Sequence, residues 1–253
     1  MYTIAKFTIL KIFEPAFMFL MAFGFIISYM TSGNQGLDLS FFTDLTNSNT
    51  AGGNLDIGSF ILVMLSCIIS IFVGSTEIPR DLNTRMITIL LSKPISRQKY
   101  VAGRFLGTWL LSSLLFLMWL ITLGALQYFN MPDMFSFKNF FLNFLYVFSL
   151  APVSAISVAV STYLDDVPAM IVSFIIISMS FTMGTIPIII KAFPNADLGK
   201  MLLLFYYMIP NFTYLFRSFE AFYQVLSFLV YTMTLSIIVL KIGIMHFDER
   251  DLV

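Results

Sequence analysis

The chain reads as an all-α integral membrane protein with six transmembrane helices, and three observations carry that reading. First, hydrophobic residues make up 58% of the chain and charged ones only 11%, against roughly 25% charged in a soluble domain. Second, long uncharged apolar runs recur, such as GSFILVMLSCIISIFVG at residues 58–74 and FLGTWLLSSLLFLMWLITLGALQYF at residues 105–129. A helix of about 20 apolar residues crosses a bilayer. Third, the cations sort by side. With six spans and both termini in the cytoplasm, inner segments hold Lys6, Lys11, Arg80, Arg85, Lys93, Arg97, Lys99, Arg104, Lys241 and Arg250. Outer segments hold Lys138, Lys191, Lys200 and Arg217. That bias is the one the positive-inside rule predicts.

In chain order, residues 1–13 set Ile4, Phe7, Ile9, Leu10 and Phe13 beside Lys6 and Lys11. This is the pattern of an amphipathic helix at the cytoplasmic interface. Glu14-Pro15 punctuates it, and the first span lies near 15–31. It lacks a small-x-small cleavage site, so it is expected to be retained rather than removed as a signal peptide. Residues 31–57 are rich in Gly, Asn, Ser, Thr and Asp with no Lys or Arg, which reads as an outer loop. The second and third spans lie near 58–78 and 101–129. Gly103 and Gly107 in the third form a G-xxx-G pair that lets two membrane helices approach closely.

After a short outer loop, the fourth span is predicted near 139–164. Ala151, Ala155 and Ala159 give it a smooth packing face, and Pro152 predicts a kink. Residues 163–168 read as a tight inner turn. Asp165 and Asp166 suggest helix capping rather than a catalytic carboxylate pair, because carboxylates suit the free N–H groups and dipole of a helix start. The fifth span lies near 167–190. Residues 201–209 are apolar, but nine residues of helix rise only about 14 Å, short of a hydrocarbon core of about 30 Å. They read as an outer re-entrant or interfacial helix stopped by Pro210. The last span lies near 219–244, followed by a charged cytoplasmic tail, and 1–253 reads as one transmembrane domain.

The segment between the second and third spans, residues 79–104, holds six of the fourteen Lys and Arg. Pro79 suits the first turn of a helix. Leu82, Met86, Ile89 and Leu90 then share one face, and Asp81, Thr84, Arg85 and Thr88 the other, with Asp81 able to pair with Arg85 four residues on. Ser92-Lys93-Pro94 ends this amphipathic helix, since a residue before proline leaves the helical region. Ser96 can cap the next helix. Glu77 falls where the second span meets the cytoplasm. An unpaired carboxylate there is costly, so it is expected to pair with Arg80, Arg85 or Arg104.

The run IPRDLNTRMITILLSKPISRQKYVAGRFLG resembles the first cytoplasmic loop of ABC-2 type transporter permeases. Within them it is most similar to the branch containing the permease for maturation of the copper enzyme nitrous-oxide reductase. The shared pattern is an acidic residue closing the second span (Glu77), a charged amphipathic helix (80–88), an L-L-x-x-P-x-S-R turn (90–97) and a G-R-x-x-G lead-in to the third span (103–107). The IPNF run at 209–212 and FDERDL at 247–252 also resemble this branch. The resemblance implies the membrane subunit of an ABC-2 exporter-type complex in the cell (cytoplasmic or inner) membrane. Two permease chains, identical or related, form the path, and two separate ATPase subunits bind ATP and Mg. The 79–97 loop is the expected coupling helix on which the ATPase docks. Glu77, Arg80, Asp81, Leu82, Arg85, Met86, Ile89, Leu90, Pro94 and Arg97 are its candidate residues: an apolar face to seat the contact and charges to orient it.

Chemistry of other kinds finds no motif. There is no G-x-x-x-x-G-K-[ST] to cradle phosphates, no G-x-S-x-G and no H-E-x-x-H. His246 is the only histidine and Cys67 the only cysteine, which excludes a Ser-His or multi-His site, an intrachain disulfide and a Cys-based metal site within the chain. Thioethers bind Cu(I), and Met179/Met183 and Met131/Met134 are spaced as pairs. No His or Cys accompanies them, and methionine is a common gap-filler in apolar packing. No catalytic, cofactor or metal residue is therefore expected in this chain, and a net charge of zero offers nothing to nucleic acid. An ion-coupled secondary transporter usually needs ionisable residues within its spans, which are few here. A non-transporting membrane scaffold of an assembly complex would keep the topology without needing a docking loop. No motif identifies a substrate.

Overall fold

The computed structural model describes Thr8 and residues 15–32, 57–84, 96–130, 137–182 and 222–249. These residues are helical with short turns and contain no strand. The helices are α1 (Pro15–Ser32), α2 (Ile57–Asn83), α3 (Arg97–Asn130), α4 (Phe137–Asn143), α5 (Tyr146–Ser161), α6 (Asp166–Thr182) and α7 (Phe222–Glu249). Four stretches among them are long and apolar enough to cross a membrane: Ile61–Asn83, Arg97–Phe129, Phe140–Ser161 and Tyr223–Glu249. Shorter apolar helices, Met18–Tyr29 and Asp166–Ser180, occupy the first and fifth predicted spans. The chain is thus an all-α membrane protein.

The bundle is built around α5, which packs against α2, α3, α6 and α7, while α1 lies on α3 and α2. Its sequence explains that position. Ser149, Ala151, Ser154, Ala155, Ser157, Ala159 and Ser161 are all buried, so small side chains point to several neighbours at once. Small residues let membrane helices approach until backbones nearly touch. At the α2 seam a Cβ on Gly74 would overlap Ser157 Oγ and lie 2.9 Å from its Cβ. On the α7 side a Cβ on Gly243 would lie 2.9 Å from Ala159 Cα. The hydroxyls find partners: Ser70 and Ser154 share a 2.7 Å hydrogen bond, and Ser157 Oγ donates to the Ser70 carbonyl at 3.2 Å. That satisfies the demand that polar groups be paired away from water. Farther along, Trp119 is fully buried, donates Nε1–H to the Met21 carbonyl at 3.1 Å, and fills the space left by Gly24.

The two ends of the bundle differ in chemistry. At one end, exposed Tyr29, Tyr128, Phe129, Phe137, Phe141 and Tyr223 gather near the C-termini of α1 and α3 and the N-termini of α4 and α7. Such aromatics favour the membrane–water interface. The opposite end joins the C-termini of α2, α5 and α7 to the start of α3, through buried Ile78, Val158, Phe247, Tyr100 and Val101.

Several predicted boundaries move. No separate helix opens at Pro79: α2 runs through it to Asn83, and the Thr84 N–H still reaches the Arg80 carbonyl at 3.0 Å. Proline costs one ladder bond there, but a helix held by its neighbours absorbs that loss. The fourth predicted span is interrupted at Phe144-Leu145 rather than at Pro152, which lies buried inside an unbroken α5. From Phe144 to Phe148 most of the bonds run i→i−3, Phe144 N–H to Phe141 carbonyl at 3.2 Å and Phe148 N–H to Leu145 carbonyl at 3.0 Å, a local 3₁₀ tightening. The ring pairs Phe140–Phe144 and Phe141–Phe144, 5.3 and 6.1 Å apart, pack across it. The last helix runs past the predicted span end at 244, because α7 continues to Glu249.

Two smaller expectations resolve differently. Ser96 caps α3, its Oγ accepting the Lys99 N–H at 3.4 Å. Asp165 stands just before α6 with its carbonyl accepting the Ala169 N–H at 2.8 Å, and Asp166 lies in the first turn, where a carboxylate suits the helix dipole, its Oδ1 making no hydrogen bond among the described residues. Apart from Thr8, the predicted interfacial helix at 1–13 lies outside the described residues, as do residues 183–190, the helix expected at 201–209 and the 131–136 loop.

Candidate functional site

The polar end holds a buried ion cluster. Glu77 and Asp81 sit four residues apart on the last turns of α2, so their side chains share a face. Arg104, on the second turn of α3, lies between them. Its guanidinium forks, Nη1 bonding Glu77 Oε2 and Nη2 bonding Asp81 Oδ2. Arg104 Nη1 also reaches Thr8 Oγ1 at 3.1 Å, and the Thr8 hydroxyl donates to Glu77 Oε2 at 3.4 Å. Tyr100, one turn before Arg104, donates its phenol to Asp81 Oδ2 at 2.5 Å, and the guanidinium carbon lies 5.7 Å from its ring centre. Glu77 is 2% exposed, and Asp81 and Arg104 are 6% exposed each. Ile78, Val101, Val158 and Phe247 exclude water around the cluster, with Leu82, Phe105, Leu240 and Ile244 packed outside them.

Burial decides how much this matters. A surface ion pair contributes about 0–1 kcal/mol, whereas removing one partner of a buried pair costs about 3–5 kcal/mol. Arginine suits this place because its planar fork can serve two carboxylates at once. The cluster therefore fixes the end of α2 to the start of α3, the two ends between which residues 85–95 run.

A second joint lies beside it. The Tyr100 ring stacks on Phe247 of α7 at 5.8 Å. Arg97 Nη1 donates to the Asp248 carbonyl at 2.8 Å and to the Phe247 carbonyl at 3.4 Å, and Gln98 Nε2 donates to Asp248 Oδ2 at 3.2 Å. On the other flank of α7, His246 stacks on Tyr163 at 3.8 Å, and the Tyr163 hydroxyl lies 3.5 Å from the Ile242 carbonyl.

Measured against the sequence reading, the structure brings Arg104, one of the three candidate bases, to Glu77. Asp81 turns inward to Arg104 and Tyr100 and is buried, rather than lying on an exposed face. Leu82 is packed against the Ile78 cluster rather than offered outward, while Arg80, Asn83 and Thr84 are exposed. Arg97 faces α7. Arg85, Met86, Ile89, Leu90 and Pro94 lie outside the described residues. Gly103 and Gly107 are buried in α3, and Ala151, Ala155 and Ala159 in α5. Sequence reasoning passed over Thr8, Tyr100 and Phe247. Tyr100 had a signal: it stands four residues before Arg104 and so shares its face. Phe247 opens the FDERDL run, but its contact with Tyr100 had no signal short of the tertiary fold, and Thr8 had none at all.

The groups of the cluster chiefly bond one another, with Arg104 Nε buried and making no hydrogen bond among the described residues, and among the described residues no three His, Cys, Asp or Glu gather to hold a metal ion. Fold and site together define a polytopic helical membrane protein with a buried ion cluster at one end. The family model of ABC-2 family transporter proteins matches residues 34–245. The chain belongs to that family, as a membrane permease subunit of an ABC transporter. No curated protein and no solved structure matches it at a significant level.

Proposed function

We propose that this permease moves its substrate outward across the cell membrane, driven by two ATPase subunits that bind ATP and Mg and dock on the segment between α2 and α3. A second permease chain, identical or related, completes the path, and both termini lie in the cytoplasm. Within the family, the 78–107 run and FDERDL draw the chain toward the nitrous-oxide-reductase maturation branch. The observation that supports docking at this segment is the Glu77–Arg104–Asp81 cluster. A segment that is pushed by a soluble subunit moves the spans only if both its ends are firmly held. The cluster holds both, with the low exposure that makes such a joint costly to open. Arg80, exposed on the last turn of α2, and Arg85, Met86, Ile89, Leu90 and Pro94 form the docking face; Glu77, Asp81 and Leu82 anchor its base.

The test is co-purification of the tagged permease in mild detergent. The wild type is expected to carry ATPase subunits and to hydrolyse ATP. Met86→Asp places a charge in the apolar contact at about 2–3 kcal/mol, which lowers ATPase affinity on the order of 100-fold while the permease stays monodisperse. Full ATPase recovery with Met86→Asp removes this segment as the docking site.

A further inference from the structure

We infer that Arg97 is a positioning residue that fastens the last helix, α7, to the start of α3, so that motion delivered to the docking segment is carried to α7 as well. The inference rests on the docking reading above and extends it to a helix that the segment does not adjoin in sequence.

Along most of its length α7 is loosely invested. Leu226, Val230, Ile237, Ile238, Ile242 and Met245 are more than half exposed, and a single stripe of Phe228, Thr232, Ser236, Gly243 and Phe247 faces the bundle. The polar end is different. Phe247 is 0% exposed and stacks on Tyr100. The last carbonyls of a helix have no partner within it, and the end carries partial negative charge. The Arg97 guanidinium answers both needs, binding the Phe247 and Asp248 carbonyls, while Gln98 holds the Asp248 carboxylate. Tyr100 completes a continuous chain of contact: Asp81 of α2 accepts its hydroxyl, and Phe247 of α7 packs on its ring.

The opposite flank of α7 is held differently. Tyr163, in the turn between α5 and α6, meets His246 face to face and touches the Ile242 carbonyl at 3.5 Å from an exposed position. A stacked, solvent-facing pair can slide; a guanidinium on two carbonyls beside a fully buried ring resists sliding. When the two flanks are pulled apart, α7 stays with α3. Ordinary C-capping by Arg97 would stabilise α7 equally well without this consequence, so the test has to read motion.

The experiment uses the complete permease–ATPase complex in lipid nanodiscs, in a Cys67→Ser background, with labelled chains diluted among unlabelled ones. Spin labels at exposed positions, Lys99→Cys with Glu249→Cys and Val167→Cys with Met245→Cys, report the α3–α7 and α6–α7 distances, without nucleotide and trapped with ADP and vanadate. The α3–α7 distance is expected to stay fixed on trapping while the α6–α7 distance changes by roughly 1–2 Å or more. In Arg97→Ala the α3–α7 distance is expected to shift or broaden on trapping, with ATPase recovery and hydrolysis retained, and Arg97→Lys is expected to restore it in part. Phe247→Leu gives the same readout if Arg97→Ala does not assemble. An α3–α7 distance that changes in the wild type, or stays fixed in both variants, overturns the inference. Loss of ATPase from a folded Arg97→Ala permease puts Arg97 in the docking face and overturns it too, leaving the docking reading intact. A wild-type permease that recovers no ATPase overturns the docking reading itself.

Discussion

Two contacts of α2 are built on opposite principles. Its end meets α3 through charge: two carboxylates, one guanidinium and a phenol, sealed from water by Ile78, Val101, Val158 and Phe247. Its middle meets α5 through the lack of side chain, at Gly74 against Ser157 and Ser70 against Ser154. The first contact is strong in one geometry and expensive in any other, because a displaced buried charge loses its partner. The second is a smooth seam whose hydroxyls can bond the carbonyl one turn back as readily as the neighbour. Ser154 Oγ already bonds the Leu150 carbonyl at 2.8 Å. Taken together, the pair describes a helix gripped at one end and able to shift along its side. The docking proposed for the α2–α3 segment calls for that combination.

Breaking the grip should have the largest effect. Arg104→Ala removes the guanidinium that both buried carboxylates bond, and is expected to cost about 3–5 kcal/mol. The measurement is the midpoint of thermal or detergent-induced unfolding of the purified permease. Arg104→Lys should recover little, since an ammonium cannot reproduce the fork. Replacing Glu77, Asp81 and Arg104 together by leucine should recover most of the loss, because a buried ion cluster exchanged whole for apolar groups is often neutral or stabilising. An Arg104→Ala permease as stable as the wild type would dissolve the contrast between the two contacts.

Jamming the seam comes next. Gly74→Ala puts a Cβ against Ser157, where the overlap falls on Oγ and the near contact on Cβ, so the neighbour must move. Overpacking of this kind costs about 1–3 kcal/mol. Ser157→Gly in the same chain should return most of it, since the space is then made on the other side. A Gly74→Ala loss that Ser157→Gly does not relieve would mean the seam is not where the strain lies.

How far the sequence revealed this can be judged from the same residues. The apolar runs made the helical membrane class readable, because lipid leaves a chain few alternatives. The acidic–basic character of 77–104 marked the right region, and Glu77 was expected to find a base. What periodicity could not show is which way the polar residues turn. A helical wheel for 80–90 put Asp81 outward because it treated Pro79 as a start. Once α2 runs on through Pro79, Asp81 continues the face of Glu77 and turns in. Close approaches occur at Gly74 and Gly243, single glycines that no sequence spacing marks and whose meaning comes from Ser157 and Ala159 across the interface. Likewise, nothing local ties Arg97 to a carbonyl 151 positions away.

The smallest expected effect is the most discriminating about the seam. Ser154→Ala removes the 2.7 Å bond to Ser70 and the back-bond to Leu150, while adding no volume and leaving α5 as smooth as before. Interhelical hydrogen bonds of this type in membrane proteins average about 0.6 kcal/mol. The Ser70 hydroxyl left behind has the option of bonding back to a carbonyl of its own helix, as Ser66 does to the Leu62 carbonyl at 2.8 Å. Stability is therefore expected to fall by about 0.5 kcal/mol, close to the limit of an unfolding midpoint measurement, and Ser70→Ala/Ser154→Ala together should cost no more than the sum of the two. A drop of about 2 kcal/mol or more on Ser154→Ala would show that the hydroxyls lock the seam as firmly as the charges lock the end. In that case α2 is held rigidly along its whole length, and α5 has to move with it as one body.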